Sequence, residues 1–145
     1  MSKVITSDSQ LAQLLSKTKR VAVVGISDTE DRPSNGVSRW LIKNSHFELY
    51  FVNPALTTVL GRPCYASLAD IPVKIDMVDI FRKVSDIPAV VDEVIAIGAQ
   101  SIWIQLGLVD EESAERAIAA GLDVAMDLCI KIEYERLAGS ISPQE

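Results

Sequence analysis

A chain of 145 residues, 48% of them hydrophobic, is long enough for one domain with a buried core and short for a second. Its formal charge of -6 excludes a broad basic face for nucleic acid or an anionic membrane, so a polyanionic ligand must be met by a few local cations. Two cysteines, Cys64 and Cys129, no signal-like amino terminus and no long apolar run predict a cytoplasmic protein with free thiols.

The first element is a leading helix within residues 1–17, where Ser7-Asp8-Ser9-Gln10 suits a capping box and Leu11, Leu14 and Leu15 make an apolar stripe. Val21-Ala22-Val23-Val24 then reads as a buried strand that stops at Gly25-Ile26-Ser27 before Arg32-Pro33-Ser34-Asn35. A strand that ends at a glycine and opens a helix places backbone N–H groups where a phosphate can sit. The dinucleotide fingerprint is absent, because Ile26 and Ser27 follow Gly25 where further glycines would let a pyrophosphate approach. A helix is predicted from Val37 to about Lys43. The next strand, Leu49-Tyr50-Phe51-Val52, ends in Asn53-Pro54 instead of an acid, a rigid corner better suited to an adenine face than to a ribose diol.

Residues 55–72 are irregular, with an extended piece near Arg62–Tyr65 and a short helical turn before Pro72. A strand near Ile75 leads to Asp79-Ile80-Phe81-Arg82-Lys83. Ile87, Val90, Val91, Val94 and Ile95 keep helical spacing, with Ser85 or Asp86 to cap the helix and Gly98 to end it. After a strand at Ser101-Ile102-Trp103-Ile104, a helix over Glu111–Ala120 has Asp110 as its cap and acids in its first turn. A last strand near Leu122 is followed by a helix capped by Asp127 and running to Leu137, then a flexible tail over 138–145. Strands recurring at intervals of roughly 20 to 28 residues, with helices between, predict a single α/β domain. It is a three-layer, doubly wound parallel sheet, Rossmann-like, with its ligand at the carboxyl ends of the strands.

The chain resembles the stand-alone CoA-binding domain family. The resemblance rests on Val24-Gly25-Ile26-Ser27, Arg32-Pro33-Ser34-Asn35, Val52-Asn53-Pro54, Gly61 with Cys64-Tyr65-Ala66-Ser67-Leu68, Asp79-Ile80-Phe81-Arg82, Trp103-Ile104-Gln105-Leu106-Gly107 and Ala120-Gly121-Leu122. That family is similar to the amino-terminal domain of the succinyl-CoA synthetase α subunit, without its catalytic partner domain. The resemblance implies coenzyme A or an acyl-CoA as ligand. It sets Gly25, Ile26 and Ser27 under the phosphates with Arg32, Ser34 and Asn35 beside them, Val52, Asn53 and Pro54 around the adenosine, and Phe81, Arg82, Gln105, Leu106 and Gly107 along the remainder. Arg32 and the Arg82-Lys83 pair supply the guanidinium and ammonium groups that such a polyanion needs.

Other residues read more plainly. Phe81 suits core and pocket wall equally, and Trp103 reads as packing between sheet and helix. His46, the sole histidine, follows the second helix and reads as a surface or capping residue, away from the ligand edge. The phosphohistidine chemistry implied by the synthetase resemblance therefore finds no residue here. Cys64 and Cys129 lack metal-ligand spacing and read as buried structural thiols. The expected function is non-catalytic binding of CoA or an acyl-CoA as carrier, sensor or subunit of an acyl-transfer system, with a protein partner or a second copy left open. The alternatives are an NAD(P)-linked oxidoreductase, and an interaction subunit with a vestigial nucleotide site, suggested by Asp28, Glu30 and Asp31 near the phosphate position.

Overall fold

The alternation of apolar strands and amphipathic helices folds into one sheet covered on both faces. The computed structural model describes residues 4–144. Its strands are β1 (Arg20–Val24), β2 (Glu48–Val52), β3 (Thr58–Val59), β4 (Arg62–Tyr65), β5 (Met77–Ile80), β6 (Ser101–Ile104) and β7 (Asp123–Met126). They lie in the order β3-β4-β2-β1-β5-β6-β7. Every pairing is parallel except that of β3 with β4. The helices are α1 (Asp8–Lys17), α2 (Pro33–Asn44), α3 (Ile87–Ile97), α4 (Glu111–Ala119) and α5 (Ile130–Arg136).

Side chains alternate across the sheet, so each strand feeds two cores. Val78, Ile80, Ile102 and Ile104 pack under α3 and α4 with Val90, Val94 and Ala117. Val21, Val23, Met77 and Trp103 face α1, α2 and α5 through Leu11, Leu41 and Ile130. The Trp103 indole nitrogen donates to the Leu128 carbonyl at 2.8 Å, which satisfies its polar edge inside the packing.

The local signals are realised to different degrees. Ser7 caps α1 by accepting from the Gln10 amide, and Asp110 caps α4 by accepting from Ser113. Gly98 ends α3 with a φ of 72°. α2 begins a turn earlier than Val37, because Pro33 occupies its first position with φ already set. The tail after Leu137 forms a short turn, and the Ser142 and Gln144 amides donate to Ser16.

Three sequence readings change. The sheet carries an antiparallel edge, since β3 returns into β4 through Leu60 and Gly61, both at positive φ. Two such residues make the tight hairpin whose twist suits the flanking strands. Asp127 does not cap α5; it adopts a φ of 60° and accepts from the Gly107 amide at 2.7 Å. His46 is no solvated surface group. Its Nε2 lies 2.8 Å from the Thr18 carbonyl, which can only accept, so Nε2 carries the proton and Nδ1 takes the Tyr134 hydroxyl at 2.7 Å.

Beneath α2 the sheet holds an unusual group. Asp79 is fully buried between Val23 and Trp103, and both its carboxylate oxygens lack a hydrogen-bond partner, as does the hydroxyl of Ser38. Burial pushes the Asp79 carboxyl well above its ordinary value, so the folded protein keeps a proton that the unfolded chain releases. Folding stability therefore declines as pH rises from the unfolded carboxyl's range toward the folded one, by at most about 1.4 kcal/mol per pH unit. Asp79→Asn removes that dependence. The melting temperature of the variant relative to the parent should climb between pH 5 and pH 8, and a difference independent of pH would contradict the assignment.

Candidate functional site

The sheet's connectivity opens a crevice at the carboxyl end of β1. From β1 the chain passes through α2 to β2 on one side, while β5 lies on the other, so the loops after β1 and β5 diverge. Val24 stands opposite both Val52 and Ile80, which brings the three strands to a common rim. Gly25, just beyond, has a φ of 89°. A Cβ there would run into the Phe81 carbonyl and lie 2.9 Å from Arg82 Cδ. Only glycine satisfies both the backbone angle and the close neighbour.

The loop after Gly25 is held by side chains from two directions. The Ser34 hydroxyl accepts from the Ser27 amide at 2.9 Å, and Asn35 Nδ2 donates to the Ser27 carbonyl at 2.9 Å. Asn53 Nδ2 donates to the Ile26 carbonyl at 2.7 Å, while its Oδ1 accepts from Ala55. The Gly25 amide donates to Val52. The amides of Gly25 and Ser27 are thus engaged within the protein, and the attraction for an anion moves to side-chain cations and to the amino end of α2.

Those cations converge. Arg32 precedes α2 directly, Arg82 and Lys83 follow β5, and neither Arg32 nor Lys83 enters an ion pair among the described residues. Arg82 donates through Nε and Nη2 to Asp86 at 3.2 and 2.9 Å, which orients the guanidinium and leaves Nη1 without a partner among the described residues. Of the acids read near the phosphate position, Asp28 lines the crevice. Glu30 is 85% exposed at its side chain and lies 3.8 Å from Arg39, turned to the outer face of α2.

Two openings meet at Gly25, Ser27, Arg32 and Arg82. The first, about 420 Å³, runs toward β2 and is walled by Ile26, Asn53, Pro54, Ala55 and Leu56. The second, about 510 Å³, runs toward β6 and α5; Ser34, Phe81, Lys83 and Gln105 line it together with the apolar Val37, Leu106, Leu108 and Ile132 and with Cys129. Phe81 is accordingly both wall and core, lining the opening and packing, partly buried, against the core under α1, α2 and α5.

Asn35, Val52 and Gly107 line neither opening. Asn35 is buried and braces Ser27, Val52 belongs to β2 and its core, and Gly107 makes the turn that Asp127 pins. Gln105 both lines the site and holds α5, its Oε1 accepting from the Ile130 amide at 3.2 Å in place of the cap expected from Asp127. Sequence reasoning missed Val37, Leu108 and Ile132 as wall residues, since each reads as an ordinary apolar position. Both cysteines are partly rather than fully buried, packed against the core. Burial still raises the Cys64 thiol above its ordinary pKa.

This is a Rossmann-like α/β domain whose cleft, cationic where its two openings meet, crosses the switch point of a mostly parallel sheet. The chain belongs to the CoA binding domain family, whose sequence model matches residues 19–135. It is 38% identical over 128 residues to the uncharacterized protein YneT of Bacillus subtilis, covering 88% of this chain and 94% of that protein. It is also 30% identical over 122 residues to the ADP-forming acetate–CoA ligase I of Archaeoglobus fulgidus, covering 77% of this chain but 18% of the ligase. The structure of a hypothetical protein from Pyrococcus horikoshii superimposes with a TM-score of 0.89 at 35% identity, over 96% of this chain and 99% of that one.

Two substitutions test the architecture of the cleft. Gly25→Ala should lower unfolding stability in urea by about 2 kcal/mol or more, since strained φ and the Phe81 contact act together. Gln105→Ala should cost about 1 to 2 kcal/mol by leaving the Ile130 amide without its acceptor, with the loss read by the same titration.

Proposed function

We propose that the protein binds coenzyme A or an acyl-CoA along this cleft and performs no chemistry on it by itself. The observation that carries the reading is the meeting of two openings at Arg32 and Arg82, on either side of the glycine turn. A molecule with a flat base at one end, phosphates in its middle and a long arm at the other matches that sequence of surfaces. Asn53 and Pro54 bound the adenosine, Arg32, Arg82 and Lys83 meet the phosphates, and the arm runs past Phe81 and Gln105 toward α5. Membership of the CoA binding domain family and the likeness to an acetate–CoA ligase support the same ligand.

The residues present suit this group better than a dinucleotide. β2 ends in Asn53, whose amide is engaged at both ends by the neighbouring backbone, where a dinucleotide site carries a free acid for the ribose diol. His46 is locked between Thr18 and Tyr134, and no histidine reaches the cleft to carry a phosphoryl group. As a binding module the protein serves as a carrier, a sensor or a subunit of an acyl-transfer system.

Isothermal titration with CoA and with NAD separates the readings. CoA binding at micromolar concentration without NAD binding supports the proposal; the reverse supports a nicotinamide enzyme, and no heat from either marks an interaction subunit. Arg82→Ala should weaken CoA about tenfold to a hundredfold, the range for a hydrogen bond to a charged partner. The half-exposed pair with Asp86 contributes little to folding, so the melting temperature should fall by no more than about 3 °C.

A further inference from the structure

Resting on the CoA reading, we infer that the ligand is an acyl thioester whose hydrocarbon chain lies on an apolar wall formed by Val37, Leu106, Leu108 and Ile132. These four side chains, from α2, the β6 loop and α5, line the larger opening on the side of β6 and α5. Two of them are open to water to an extent unusual for their type, Leu106 being 60% and Ile132 51% exposed. The exposure of Leu106 is enforced by its turn. The Leu108 amide donates to the Gln105 carbonyl at 3.0 Å, Gly107 takes a φ of 88°, and its amide is tied to Asp127. A loop fixed at both ends cannot fold Leu106 inward, so its apolar surface is covered only by something that enters the cleft.

The chemistry of this wall selects the occupant. The pantetheine arm carries two amides that need polar partners, and two side-chain oxygens beside this wall are already committed. Gln105 Oε1 holds Ile130, and Asp127 Oδ1 holds Gly107. Gln105 Nε2 can serve one amide carbonyl, and the surface beside it offers methyl and methylene groups and the Cys129 thiol. A hydrocarbon chain attached to the sulfur matches that surface, and continuity with the cationic middle of the cleft fixes which end of the ligand reaches it.

The test is calorimetric titration of the intact protein with CoA and with acetyl-, butyryl-, hexanoyl- and octanoyl-CoA. Affinity should rise with chain length, by up to about fourfold per methylene while the chain stays on the wall. Ile132→Ser should flatten that rise, lowering octanoyl-CoA affinity more than CoA affinity. If neither CoA nor any thioester binds, the underlying CoA reading fails. If CoA binds and the thioesters bind no better at any length, the acyl inference fails while the CoA reading stands. A rise with length that Ile132→Ser leaves as steep would place the chain elsewhere and overturn the wall's assignment.

Discussion

The structure turns on the few backbone atoms where β1 ends. The Val24 carbonyl accepts from Phe81 at 2.8 Å and the Val52 carbonyl accepts from Gly25 at 3.0 Å, so the central strand is clamped to both neighbours up to its last residue. The clamp draws β5 against Gly25 so closely that no side chain fits between them. The chain must therefore leave the sheet at that point and turn into α2. Its departure to one side, with β5 on the other, opens the crevice, directs the amino end of α2 into it and sets Arg32 across from Arg82.

The protein is acidic overall, yet its crevice is locally cationic. The cations near the crevice come from two separate loops, and the acid beside Arg82 orients it instead of cancelling it, since one guanidinium nitrogen stays without a partner among the described residues. Glu30 is turned toward Arg39 on the far side of the helix. Because screening by salt weakens interactions beyond about 8 to 10 Å, the surplus of surface acids elsewhere matters less than these few groups. The layer beneath α2 shows the opposite case. Asp79 and the Ser38 hydroxyl are buried without partners, and nothing in the structure explains why this position in the sheet carries an acid.

Much of the architecture is legible in the residues themselves. The apolar runs of β1 and β6 have no polar alternation because helices cover both faces, and the stripe of Ile87, Val90, Val91 and Val94 announces α3. Ser7, Asp110 and Gly98 mark helix ends by chemistry confined to a few neighbours. What escaped was set by partners distant in sequence or by backbone conformations against residue preference. Leu60 stands at positive φ where the usual hairpin signal has Asn or Asp, so β3 was hidden. Asp127 looks like a cap for α5 until Gly107 claims its carboxylate and Gln105 takes over the cap from the end of β6.

The sequence alone determined the fold class, the sheet edge at which the crevice opens and the glycine and cations that face it, because periodicity, turn chemistry and charge act over short stretches of chain. Only the tertiary structure decided which loop amides remain available, that Asn35 and Val52 serve as supports, and that Val37, Leu108 and Ile132 form a wall. Each of those outcomes depends on the distance between segments far apart along the chain, and that distance is set by packing over the whole sheet.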